Sequence, residues 1–155
     1  MNKQLLISEF LTTPWALMPE RLQAMTAVLT RWSSDVPPSD ETLFQINTDR
    51  VLRDTRKQFA TDLATSHSGA GIAVLPLYGV VTQRGNMVDD ISGPGSTSTQ
   101  KFTSALRQVL ADDAVGQILI DIDSPGGSVY GVAELAAEIV KARAQKPVVA
   151  VANSL

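Results

Sequence analysis

Seven consecutive residues, Asp123-Ser124-Pro125-Gly126-Gly127-Ser128-Val129, hold the greatest concentration of chemical capability in the sequence. Pro125 removes one backbone donor and fixes φ, and the two glycines after it permit φ > 0 and bare, outward-facing amides. Amides placed between the end of an apolar strand and the start of a helix attract an anion or a developing oxyanion. The helix dipole and the unpaired N–H groups both favour negative charge there. A tight strand-to-helix turn without any ligand satisfies the same residues. A phosphate loop does not, because neither Gly-x-x-x-x-Gly-Lys-Ser/Thr nor Gly-x-Gly-x-x-Gly occurs at this point.

Other reactive groups are sparse. A serine nucleophile needs a base within hydrogen-bond reach. Ser154 follows a strand pattern, but its place beside Leu155 reads as a frayed end. Lys141 and Lys146 read as surface cations at a helix end and a strand entry, and His67 as a solvated residue of a Ser/Gly connector. Ser124 is expected to stabilise the turn and Asp123 to cap or orient it. Trp15 and Trp32 are expected to anchor the N-terminal helices. No His/Asp/Glu cluster has metal-ligand spacing, and no cofactor is expected.

The elements that must position the turn follow from periodicity. Ile72–Leu77 and Tyr78–Val81 read as a strand with a proline-glycine break, and Gln117–Ile122 and Val148–Ala152 as uninterrupted apolar strands. Ser96–Thr99 offers N-cap residues ahead of Phe102, Ala105, Leu106, Val109 and Leu110, a clear amphipathic helix. A second helix is expected over 129–144, with Val132, Leu135, Ala136, Ile139 and Val140 on one face and Lys141 and Arg143 near its end. The β–loop–α–β–turn–α–β order, with strands of the kind covered on both faces, predicts a parallel sheet in an α/β fold. Residues 1–68 read as a helical extension and 69–155 as the main domain. In the extension one helix starts at Thr13-Pro14 or restarts at Met18-Pro19. A second helical pattern spans about 48–65, beyond a proline-rich joint at 33–40.

Bulk properties narrow the function classes. The 155 residues are 44% apolar and 19% charged, enough for a core and against wholesale disorder. A net charge of −3 provides no basic footprint for nucleic acid. The absence of cysteine excludes disulfides, thiolate metal sites and a cysteine nucleophile. Glu9 and Pro14 interrupt the apolar patch at Leu5–Ile7, so no signal peptide is expected, nor any membrane span. The expected location is the cytoplasm, with virion association open.

Ile120 through Val129, followed by an amphipathic helix and Lys146-Pro147-Val148-Val149-Ala150-Val151, resembles the signal peptide peptidase A and phage protease C family of serine peptidases. Thr13-Pro14-Trp15-Ala16, the Gly71–Val81 strand pair and the Gly95–Thr99 helix entry resemble its phage and prophage branch. The resemblance implies a Clp protease/crotonase-like fold and a serine–lysine dyad. It also implies an oxyanion hole that includes Gly126 and Gly127, and a peptide substrate lying along Ser128 and Val129. By the same resemblance the nucleophile would fall three residues past Leu155 and the base lysine later. This chain is therefore expected to be the N-terminal portion of such a domain, with an unfinished sheet, marginal stability and no activity alone. Protein or peptide substrates, homo-oligomers, and phage head or portal proteins are the implied partners. The alternatives are a catalytically dead structural or assembly protein of a phage capsid, and a crotonase-like acyl-CoA enzyme whose Gly-Gly turn holds a thioester oxyanion.

Overall fold

The computed structural model describes residues 3–34, 71–84 and 96–154. Three strands, β2 (Gly71–Tyr78), β5 (Val115–Asp123) and β7 (Val148–Ser154), form a parallel sheet in the order β2-β5-β7. The register stacks Leu75 on Ile120 on Ala150, and Leu77 on Ile122 on Ala152. Helices α3 (Thr99–Ala111) and α4 (Val132–Ala142) cover one face of it. Leu75, Phe102, Leu106, Ile118, Ile120, Leu135 and Ala142 close a core there, with Leu106 and Ile118 wholly removed from solvent. Burial of such side chains supplies about 1.5–3 kcal/mol each.

The expected α/β order with parallel strands is present. Coverage of both sheet faces is not: among the described residues, Ile72, Val149 and Val151 stay 41–47% exposed. The strands are apolar on both sides, yet the described helices reach only one. The α4 face also differs from its pattern. Leu135 and Ala142 are buried, whereas Val132 and Val140 are exposed. This helix starts at Val132 rather than 129, because Gly131 at φ 79° turns the chain before it.

One boundary of α3 matches its sequence signal and the other corrects one. Ser98 caps α3, its Oγ accepting from the Lys101 N–H while donating to the Gln83 carbonyl. At the other end the Lys146 ammonium donates to the Val109 and Asp112 carbonyls at 3.0 and 2.6 Å, closing the C-terminus of α3. Lys146 is thus a structural cation, not a free surface one. Lys141 pairs with Glu138, which also meets Arg107.

The N-terminal segment is α1 (Lys3–Thr12), β1 (Trp15–Leu17) and α2 (Pro19–Ser33). The Met18-Pro19 start is correct, with Pro at the first helical position where no donor is needed. The Thr13-Pro14 start is not. Thr12 and Thr13 turn their hydroxyls back onto the Ser8 and Glu9 carbonyls, ending α1, and the two prolines bias Thr13 and Met18 toward extended backbone. Trp15–Leu17, held between those breaks, form a three-residue strand. Phe10, Met25, Leu29 and Val80 make a second, smaller core, joined by Ile7, Trp15, Leu17, Leu22 and Val28. The helical pattern over 48–65, the 33–40 joint beyond Ser34, and His67 lie outside the described residues.

Candidate functional site

The glycine turn is reached from the carboxyl end of β5, the middle strand of the parallel sheet. Ser124 and Pro125 bend the chain, and Gly126–Ser128 then form a short strand, β6. Gly126 stands at φ 107°, a conformation that any side chain would oppose. Ser124 is the brace: its Oγ donates to the Gly79 carbonyl at 2.7 Å and accepts the Gly126 N–H at 3.2 Å. The Gly79 N–H returns a bond to the Asp123 carbonyl at 2.8 Å. The turn-stabilising role expected of Ser124 is therefore present, with atoms to name.

β6 belongs to a second sheet, ordered β1-β6-β3-β4, in which β3 is Val80–Thr82 and β4 is Ser96–Ser98. Gly127 is the point of closest approach. It pairs with Val81 on one side, parallel, and with Ala16 on the other, antiparallel. A Cβ on Gly127 would lie 2.0 Å from the Val81 carbonyl oxygen, and one on Gly126 would lie 2.1 Å from the Ala16 oxygen. Glycine is required at both positions because backbone fills the space on either side.

Hydrogen bonds fix the phase of the β1–β6 pairing. The Met18 N–H donates to the Pro125 carbonyl at 2.9 Å, and the Val129 N–H to the Pro14 carbonyl at 3.1 Å. Bonded antiparallel pairs recur every second residue, so Ala16 and Gly127, midway between, are the pair whose N–H and C=O groups face each other. The amides are not bare, as the sequence suggested. Gly126 is held by Ser124 Oγ, and Gly127 is turned toward β1. Ser128 is buried and its Oγ accepts the Tyr130 N–H, whereas the Val129 and Tyr130 side chains are about half exposed. Beside the turn, Met18, Glu20, Arg21, Ala24, Asp123, Ser124 and Pro125 line an open groove of about 440 Å³.

Two features had no sequence signal strong enough to find them. One is the β1–β6 pairing itself, a contact across more than a hundred residues whose only local hint is the Pro14 and Pro19 bracket. The other is the Asp121 carboxylate, which accepts from the Tyr78 hydroxyl and the Asn153 amide, cross-linking β2, β5 and β7 near their carboxyl ends. Trp15 is an anchor as expected, its indole donating to the Phe10 carbonyl at 2.9 Å with the rings 5.2 Å apart. Among the described residues no group of His, Asp and Glu could hold a metal ion, and no helix is long and apolar enough to cross a membrane.

No family model matches the chain. Among curated proteins, it is 41% identical over 83 residues to the head-tail preconnector protein GP5 of Enterobacteria phage P21. It is 39% identical over 85 residues to the capsid assembly protease C of Escherichia phage lambda. Over about half its length, the chain is related to the phage protease C and signal peptide peptidase A group. A protein of Enterococcus faecium named for signal peptide peptidase SppA adds a match of 28% over 103 residues. These alignments take in 54%, 55% and 66% of this chain but 16%, 19% and 29% of the relatives, so the chain spans less than a third of the proteins it matches.

Proposed function

We propose that this chain is part of a serine-type endopeptidase of phage or prophage head maturation, with a Clp protease/crotonase-like fold and a serine–lysine dyad. The observation that carries the reading is the placement of β6: a glycine strand at the carboxyl end of the central parallel strand, braced by Ser124, with an edge that takes an extended chain segment antiparallel. Gly127, with Gly126, would stabilise the tetrahedral oxyanion, and Ser128 and Val129 would lie along the peptide. An oxyanion donor of this kind contributes about 2.7–4 kcal/mol to the transition state. Its substrate would be a protein or peptide, no cofactor would be needed, and the assembled form would be a homo-oligomer associated with phage head or portal proteins. The names of the two phage relatives, a capsid assembly protease and a head-tail preconnector, support the phage setting. The preconnector name also favours the second reading, in which the protein serves assembly without catalysis.

Side-chain bulk at Gly127 is a poor test of the oxyanion role, since a Cβ there strikes Val81 backbone first. A better one expresses the gene from its start to its natural stop and assays casein cleavage beside labelling by a fluorophosphonate. The expected result is turnover with one labelled serine, while residues 1–155 alone show neither. Absence of both in the whole gene product would remove the peptidase reading. Turnover by residues 1–155 that Ser154→Ala abolishes would relocate the nucleophile.

A further inference from the structure

Strand β1 lies antiparallel along β6, where the proposed function would lay a peptide, and it belongs to the chain itself. We infer that residues 14–18 are a displaceable, self-docked occupant of a slot on β6 that accepts an extended peptide, and that they compete with such a peptide for it. This deepens the peptidase reading and rests on it only for the consequence to hydrolysis.

Three observations support a removable occupant rather than an integral strand. First, the pairing is made by three residues with one flanking bond at each end, Met18 to Pro125 and Val129 to Pro14. Second, β1 is antiparallel where every other pairing among the described strands is parallel, so it is added to the edge of a unit that is otherwise continuous. Third, its side chains are held mainly by its own helices, through Phe10, Met25 and Leu29, with Val80 of β3 completing that cluster. Trp15 hooks the Phe10 carbonyl and packs tilted against the Phe10 ring, while the Ala16 side chain is exposed. The two prolines preset the segment as extended, which lowers the entropy of docking as a rigidified ligand would. Ala16 and Gly127 face each other, which puts the Ala16 carbonyl beside the Gly127 amide. An incoming chain that used this register would set one of its own carbonyls at the same amide. The slot therefore fits an unstructured peptide with apolar residues on either side of the one opposite Gly127, as Trp15 and Leu17 flank the exposed Ala16.

Tethering supports this order of events. A segment held in cis competes at an effective concentration set by its connection, without the cost of bringing a second molecule to the site. A peptide in trans must exceed that to enter, unless the helices α1 and α2 are first pulled away by a partner or removed.

Amide hydrogen exchange on the intact chain tests the slot without needing catalysis. Trp15→Ala is expected to lower protection at Gly127 and Val129 by about tenfold, the effect of losing one hydrogen bond and part of a ring contact. Ile118 and Ile120 in β5 should stay protected. A synthetic peptide with the sequence of residues 13–18, at millimolar concentration, should then restore protection at Gly127 and Val129. If Trp15→Ala also exposes β5, Ala16→Pro replaces it, since that change removes the N–H facing Gly127 and fixes φ within β1, at a side chain that is exposed rather than in the core. Unchanged protection at Gly127 and Val129 in a variant with β5 intact, or no restoration by the peptide, overturns the inference. Casein hydrolysis by the whole gene product separates the two levels. Restored protection without hydrolysis in any variant keeps the slot and removes the peptidase reading. Hydrolysis that neither variant raises and the peptide does not inhibit keeps the peptidase and removes the slot.

Discussion

Replacing Gly127 by alanine inserts one methyl group where two backbones already meet. The new Cβ would lie 2.0, 2.6 and 2.7 Å from the oxygen, nitrogen and carbonyl carbon of Val81, and ordinary contact begins near 3.4 Å. None of these atoms can rotate aside, so β3 and β6 must separate by more than an ångström or the pairing must break. Overpacking of this kind costs about 1–3 kcal/mol, and a purely backbone obstacle belongs at the upper end. A local cost of about 2–3 kcal/mol lowers protection against exchange by roughly 30- to 160-fold, at about 1.36 kcal/mol for each factor of ten. Amide exchange on the intact chain should show that fall at Val81 and Ser128, with Ile118 and Ile120 in β5 as internal references. Gly131→Ala is the companion. There a Cβ meets the Thr99 side-chain oxygen at 2.5 Å rather than backbone, and the strain comes mainly from φ 79°, worth about 1–2 kcal/mol. The Gly127 effect should exceed it and stay in the β1-β6-β3-β4 sheet. A change below threefold at Val81 and Ser128, or an equal fall in β5, would refute the close-approach argument.

Three further outcomes are expected. Ser124→Ala strands the Gly126 N–H and the Gly79 carbonyl, so local stability of the turn should drop by about 1–3 kcal/mol, read as faster exchange at Gly126 and Gly79; Ser124→Thr, which keeps the hydroxyl, should recover part of it. Leu106→Ala empties a fully buried core position and should cost about 2–5 kcal/mol, visible as loss of protection throughout β5. The Arg107 guanidinium, and then Lys141, hold the Glu138 carboxyl below its ordinary value. A depressed carboxylate pKa stabilises the fold above the unfolded value and ceases to do so as pH falls through the folded one. Carboxyl NMR titration should therefore move Glu138 upward in Arg107→Ala, and a titration identical to wild type would contradict the pairing.

The sequence by itself determined the parallel sheet and its two covering helices. Hydrophobic periodicity and cap chemistry are local properties: Phe102 and Leu106 are four apart and both buried, and Ser98 stands one residue ahead of the helix it caps. It also singled out Asp123–Val129, since a proline and two glycines between a strand and a helix carry their conformational meaning with them. Ser124 was legible for the same reason, as a hydroxyl two residues from the amide it accepts. The strand boundary at Trp15 was not. Trp15, Ala16 and Leu17 have no periodicity of their own, and only the edge of β6, far along the chain, makes three residues into a strand. Nor could residue types show that the Gly127 amide faces another part of the same chain. Two glycines announce that backbone approaches closely, but which backbone approaches is decided by register and sheet order. Here tertiary structure set Val81 on one side and Ala16 on the other, turning a turn that looked open into one that is occupied.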